Sequence, residues 1–213
     1  MTEYVVHNVL LYHRRQPEFA EQQRNKLWKT LDTPTASKRN VGIMGLGALG
    51  SDAARALIAL NFNVTSWSRT PKTMPGLTSF FGSEGLATFL SQTEILVCLL
   101  PLTPATTGIL NRSLFAQLPK GAYLINAGRG SSQVEEDILS ALDDGQLAGV
   151  SLDVFETEPL PNDHPFWEHP RILITPHNAS LTDIGSAVKT IAANIAGLES
   201  GKPIEGLVDQ QLG

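Results

Sequence analysis

Three short stretches in the second half of the chain hold residues that could act together on a small oxo acid. "INAGRG" carries Arg129, "LDVFETEPL" carries Asp153 and Glu158, and "ITPHNAS" carries His177. A cation, an acid and an imidazole suit the reduction of a 2-oxo acid. Arg129 would hold the substrate carboxylate and polarise the carbonyl, and His177 would give the carbonyl oxygen its proton. Glu158, near His177, would favour the charged imidazolium. Each stretch follows an apolar run, and ligands of open parallel sheets gather beyond the carboxyl ends of strands. The remaining histidines carry no such role. His7 and His13 lie in a helical first segment, and His164 and His169 in a proline-rich loop. No metal is expected.

A second constellation lies upstream. "VGIMGLGALG" places Gly45, Gly47 and Gly50 in the G-x-G-x-x-G pattern, directly after an apolar run and directly before the helix-like "SDAARALIALNF". In that context the pattern binds a dinucleotide. Gly45 allows the tight turn, Gly47 lets the backbone approach a pyrophosphate, and Gly50 lets the helix pack close to the strand. The helix N-terminus at Ala48 and Leu49 supplies amide donors. A glycine-rich turn without a ligand is the plainer alternative. About 20 residues past such glycines an acid normally holds the adenosine ribose. Here the chain reads "SWSRTPK", with no aspartate or glutamate between Asp52 and Glu84. Ser68, Arg69, Thr70 and Lys72 offer hydroxyls and cations suited to a 2′-phosphate, so the expected cofactor is NADPH in preference to NADH. The alternative for Arg69 and Lys72 is a pair of solvated loop charges.

These residues need a sheet to bring them together, and the chain supplies the pattern for one. Short apolar runs at 41–46, 63–67, 94–100, 122–127, 149–155 and 172–175 read as strands buried on both faces. Helix-like segments intervene at 48–60, 84–91, 112–117, 134–144 and 181–199, with Asn111 and Thr182 as N-caps of the third and fifth. Alternation of this kind predicts a doubly wound parallel sheet of the α/β class, a Rossmann-type nucleotide-binding domain. Residues 1–28 read as a helix with Val5, Val9 and Tyr12 at helical spacing, and 29–40, with Pro34, as a linker. The sheet domain is then 41–180, and 181–213 a C-terminal helix and tail.

Whole-chain numbers agree with a soluble globular protein. The 213 residues are 42% hydrophobic and 17% charged, with 16 Lys and Arg against 21 Asp and Glu, a net charge of −5. That balance argues against nucleic-acid or membrane partners. The single cysteine, Cys98, lies in "EILVCLL" and reads as a buried strand residue, which fits a reducing compartment. "YVVHNVLLY" is interrupted by His7 and Asn8 and lacks a signal-peptide cleavage site, so a cytoplasmic location is expected.

Taken together, "GLGALG", "LLPLTPATTGILN", "INAGRGSSQVEEDILSALDDGQLAGVSLDVFETEPLP" and "ITPHNAS" resemble the D-isomer-specific 2-hydroxyacid dehydrogenases, from about Glu3 to Val208. "SWSRTPKTMPGLTSF" and "LSQTEILVCLLPLTPATTGILN" point to the branch that reduces glyoxylate and hydroxypyruvate. The resemblance implies catalytic roles for Arg129, Glu158 and His177, and hydride transfer from NADPH with His177 as proton donor. It implies that Asp153 contacts the nicotinamide carboxamide and that Leu100, Pro101 and Thr106 line the cofactor cleft, to which Ala127, Gly128 and Ala179 also belong. It implies a homodimer through the first segment, whose helix carries more apolar surface than solvation requires. The family's substrate domain, on the order of 100 residues, has no counterpart in this sequence, and the C-terminal helix normally packs on it. A chain without it is expected to bind cofactor but turn over weakly or not at all. Two other readings share these motifs: a nucleotide-sensing interaction module, and an NAD-dependent reductase of another 2-oxo acid.

Overall fold

The computed structural model describes residues 1–181 and 184–201. Residues 1–179 form one compact unit, and a second begins at Ser180. In the first unit the apolar runs become strands: β1 (Asn40–Met44), β2 (Asn63–Ser68), β3 (Thr78–Phe81), β4 (Ile95–Cys98), β5 (Ala122–Asn126), β6 (Leu147–Leu152) and β7 (Ile172–Ile174). They form one sheet in the order β3-β2-β1-β4-β5-β6-β7, and every neighbouring pair is parallel. The winding reverses between β1 and β4, as in a doubly wound sheet.

Why the strands are apolar throughout is visible in β4. Successive side chains leave opposite faces of a strand. Ile95 and Val97 enter one core with Val5, Val9, Tyr12, Ala53 and Leu57. Leu96 and Cys98 enter the other with Phe89, Leu90, Phe115, Ile138 and Leu142. Helices α1 (Thr2–His13) and α3 (Ala48–Ala59) supply the first layer, and α4 (Gly82–Ser91), α5 (Arg112–Phe115) and α6 (Glu135–Asp143) the second. With both faces covered, neither can be polar.

Three features depart from the sequence reading. The seventh strand, β3, was not expected, because an edge strand of four partly exposed residues leaves no apolar run. Residues 1–28 are not one helix. Arg15 takes a left-handed conformation, φ 55°, and separates α1 from α2 (Gln16–Arg24), which has Pro17 in its first turn. Proline lacks the amide hydrogen that a continuous helix would need there, but is tolerated at a new helix start. Finally, the apolar stripe of α1 is not on offer to a partner: Val5, Val9 and Tyr12 are buried. The Tyr12 ring stacks on Tyr123 with centroids 4.3 Å apart, and its hydroxyl shares a 2.7 Å hydrogen bond with Ser151. Exposed apolar surface lies instead just past α2, at Leu27 and Trp28.

Between α2 and the sheet, residues 29–40 hold only a short 3-10 turn (Ala36–Lys38) before β1 begins at Asn40. The Asn111 side chain caps α5 as expected, accepting from the Leu114 amide at 3.1 Å. Thr182 lies outside the described residues. In the second unit, α7 (Ile184–Glu199) carries Ile184, Val188, Ile191, Ile195 and Leu198 exposed. Their spacing of four and three places them in one stripe along the helix. Among the described residues no helix is long and apolar enough to cross a membrane.

The register sets the working edge. Met44 pairs with Trp67 and Cys98, Cys98 with Asn126, Asn126 with Leu152, and Leu152 with Ile174. The strands therefore end level, and the loops carrying every candidate residue leave from the same rim.

Candidate active site

At the β1 end, the glycines meet their expected constraints. Gly45 has φ 101°, a conformation side chains rarely adopt, and a Cβ on Gly50 would lie 2.0 Å from the Gly45 carbonyl oxygen. Above Gly47 a Cβ would meet nothing within 4 Å. Gly47, Ala48 and Leu49 are exposed at the start of α3, where first-turn amides have no intrahelical acceptor. Open space, exposed backbone and amide donors at a helix N-terminus fit a pyrophosphate. At the neighbouring β2 end, Arg69, Thr70 and Lys72 are exposed while Ser68 is buried. The Ser68 hydroxyl donates to the Thr70 carbonyl at 2.9 Å, so it shapes the turn instead of pointing outward. Residues 53–83, which include β2 and the loop after it, contain no carboxylate to repel a phosphate. The donor set therefore fits a phosphorylated dinucleotide.

The β4 loop is knitted by one hydroxyl. Thr106 Oγ1 donates to the Pro101 carbonyl at 2.7 Å and accepts from the Thr103 amide at 2.8 Å. Leu100 is buried, and its carbonyl oxygen lies where a Cβ on Gly128 would approach to 2.9 Å. The β4 and β5 loops thus touch, and Ala127 and Gly128 pack at that contact.

The candidate reacting residues gather beyond β5, β6 and β7. His177 Nδ1 lies 2.7 Å from Glu158 Oε2, and Glu158 Oε1 accepts from the Phe155 amide at 3.0 Å. Burial works to raise the Glu158 pKa, but the bond to His177, the Phe155 amide and the charges of His177 and Arg129 outweigh it and hold the carboxyl below its ordinary value. Arg129 is exposed at the β5 end and donates through Nη1 to the Gly128 carbonyl at 2.7 Å. The structure thus brings the cation, the acid and the imidazole to one rim, in mutual electrostatic reach.

Asp153, expected to contact a nicotinamide carboxamide, also makes a set of bonds within the protein. It is 1% exposed, and both its oxygens are engaged inside the protein. Oδ1 accepts from Thr175 Oγ1 at 2.6 Å and from the Asn178 amide at 2.9 Å, and Oδ2 accepts from the Ala179 amide at 2.9 Å. These bonds encircle His177, whose φ of 51° is left-handed. A non-glycine residue held there costs on the order of 1–3 kcal/mol, which the surrounding structure must offset. Behind Thr175 stands Tyr4, its Oη 3.2 Å from Thr175 Oγ1. Burial pushes the Tyr4 pKa up to about 12, opposed by the Thr175 bond and reinforced by Asp153, so its hydroxyl stays neutral.

Sequence reasoning missed Tyr4, Thr175, Asn126 and Gln133 as parts of this rim. Asn126 left one signal in the sequence: an amide side chain closing the apolar run "AYLIN". Among the described residues, no group of His, Cys, Asp and Glu could hold a metal ion.

Known proteins share this arrangement of sequence and fold. Residues 6–179 match the family described as D-isomer specific 2-hydroxyacid dehydrogenase, NAD binding domain. A glyoxylate/hydroxypyruvate reductase A of Serratia proteamaculans is 50% identical over 213 residues, covering 100% of this chain and 68% of that protein. The crystal structure of an NADPH-dependent glyoxylate/hydroxypyruvate reductase from Sinorhizobium meliloti, in complex with NADP and sulfate, superposes with a TM-score of 0.95 at 44% identity, covering 100% of this chain and 68% of that one. A D-isomer specific 2-hydroxyacid dehydrogenase from Xanthobacter autotrophicus, in complex with NADPH and MES, gives a TM-score of 0.95 at 42% identity, over 98% of this chain and 86% of that one. The chain belongs to the D-isomer specific 2-hydroxyacid dehydrogenases, and its sheet is their NAD-binding domain.

Proposed function

We propose that this domain binds NADPH in preference to NADH and serves the reduction of a small 2-oxo acid, glyoxylate or hydroxypyruvate, to its 2-hydroxy acid. The observation that carries the reading is the 2.7 Å His177–Glu158 pair, set on the same rim as Arg129 and the glycine turn. The relatives named as glyoxylate/hydroxypyruvate reductases support the substrate class.

Gly47, Ala48 and Leu49 would hold the pyrophosphate, and Arg69, Thr70 and Lys72 the 2′-phosphate, with Ser68 fixing their turn. Leu100, Pro101, Thr106, Ala127, Gly128 and Ala179 would form the cleft toward the reacting end. When bound, the reduced nicotinamide supplies the hydride. Arg129 pairs with the substrate carboxylate and orients the carbonyl. His177, with Nδ1 committed to Glu158, presents Nε2 and delivers its proton to the carbonyl oxygen as the alkoxide charge develops. Glu158 keeps the ring oriented and stabilises its charged form until that proton leaves.

His177 and Glu158 have side chains 50% and 35% exposed, and a site open to water is poorly suited to this chemistry. We therefore expect the 213-residue chain by itself to bind NADPH while turning over weakly. Leu27 and Trp28 are our choice for the contact of a homodimer. The test is steady-state reduction of glyoxylate and hydroxypyruvate, with NADPH binding measured separately. His177→Ala should abolish turnover and leave NADPH affinity within about twofold. Undiminished turnover in His177→Ala would refute the assignment, and full turnover by the 213-residue chain would refute the expectation for it.

A further inference from the structure

Behind the rim lies a polar pair that none of the assigned roles uses. Asn126, at the end of β5, and Gln133, just before α6, are both buried in an otherwise apolar layer. Asn126 Nδ2 donates to Gln133 Oε1 at 2.8 Å and to the Arg129 carbonyl at 3.4 Å. Asn126 Oδ1 accepts from the Gly128 amide at 3.1 Å. Gln133 Nε2 donates to the Val154 carbonyl at 3.1 Å and to Glu135 Oε1 at 3.4 Å. Every polar atom of both amides is thereby engaged. The orientation is determined as well. The Gly128 amide must meet an oxygen, so the Asn126 nitrogen faces Gln133 Oε1, and the Gln133 nitrogen faces Val154.

The consequence is geometric. One end of the pair grips the loop 128–129 that carries Arg129. The other grips Val154, one residue before the Phe155 amide that holds Glu158. A second observation says these two segments are meant to lie close: a Cβ on Gly130 would fall 1.8 Å from the Phe155 carbonyl oxygen, so only glycine lets them meet. Contact without the amides would bring the segments together but leave them free to slide.

We propose that Asn126 and Gln133 are positioning residues that set the offset between Arg129 and the Glu158–His177 pair. The inference rests on the assignment of those three as the reacting groups. Substrate carboxylate and proton donor must be held in fixed relation, and a displacement of about 1 Å can cost on the order of a hundredfold in rate.

The experiment uses the full chain and reads kcat and KM for glyoxylate, the NADPH dissociation constant, and Tm. Gln133→Glu keeps the shape but places an oxygen against the Val154 carbonyl. We expect it to raise KM and lower kcat, each about tenfold, with NADPH affinity within about twofold of wild type. In an Arg129→Lys background the same change should add less than about twofold, because a misaligned guanidinium cannot be misaligned twice. Asn126→Asp, which retains an oxygen for the Gly128 amide, replaces Gln133→Glu should that variant not fold. A lowered Tm with unchanged kcat and KM would overturn the proposal and leave the amides a purely structural role. Full additivity with Arg129→Lys would overturn it too. Should Arg129→Lys itself leave kcat and KM at wild-type values, the assignment of Arg129 fails first, and that outcome is told apart by the single variant.

Discussion

Replacing Asp153 by asparagine separates two roles for this residue. The carboxylate is buried and accepts three hydrogen bonds, from Thr175 Oγ1, the Asn178 amide and the Ala179 amide. Asparagine has the same shape but only one oxygen. If that oxygen stays with Thr175 and Asn178, the side-chain nitrogen faces the Ala179 amide, donor against donor. A hydrogen bond to a charged group contributes about 1.5–3 kcal/mol, and a buried donor left unpaired costs about 1–3 kcal/mol. Removing a buried charge returns part of this. The net expectation is a loss of about 3 kcal/mol, or roughly 6–12 °C in Tm for a domain of this size. The lost bonds are also what encircle the left-handed His177, so kcat should fall by at least about tenfold as that residue relaxes. Urea denaturation of the chain, followed by tryptophan fluorescence, measures the first effect. Turnover and NADPH titration measure the second. If Asp153 acted chiefly by touching the nicotinamide, Asp153→Asn would weaken NADPH binding while moving Tm by less than about 2 °C. That result would refute the argument from burial.

Other outcomes follow from the same structure. Arg69→Ala should weaken NADPH binding about tenfold and leave NADH unchanged, as loss of one exposed charge-assisted contact requires; equal effects on both cofactors, in a fluorescence titration, would make Arg69 an ordinary loop charge. Glu158 has a folded-state pKa lowered from 4.5, so its contribution to stability is present above that value and lost as pH falls through the lowered one. Urea midpoints taken from about pH 6 to about pH 3 should thus decline more steeply for wild type than for Glu158→Gln, and superimposable profiles would count against the pair. Leu57→Ala empties a fully buried position between α3 and the sheet and should cost about 2–5 kcal/mol in denaturant unfolding. If the proposed homodimer forms through Trp28, whose side chain is fully exposed, Trp28→Ser should lower the mass seen by light scattering to that of one chain and lower Tm at high protein concentration; an unchanged mass would count against that contact.

How much of this was legible beforehand depended on whether a feature leaves its mark on side chains or on the backbone. Strands covered on both faces must be apolar, so "EILVCLL" and "AYLIN" read as strands. The half-exposed "TSFF" of β3 did not. The glycine turn was readable because its constraints fall on residues that cannot carry a side chain. Arg129, Glu158 and His177 were readable because each is a titratable type placed shortly after an apolar run. What holds them was not. Asp153 grips His177 through the amides of Asn178 and Ala179, and any residue but proline supplies an amide. Asn126 ends β5 and Gln133 stands seven positions later, just before α6, a spacing with no meaning until those elements are placed. The same reasoning explains the misplaced apolar surface of α1: its stripe identified a helix that packs on something, but only the fold could say that α3 and the sheet already cover it. Chemistry is thus written in residue types at the ends of strands, while its alignment is written in hydrogen bonds that the sequence does not spell. Substitutions behind the rim are therefore the ones whose effects on rate need the three-dimensional structure to foresee.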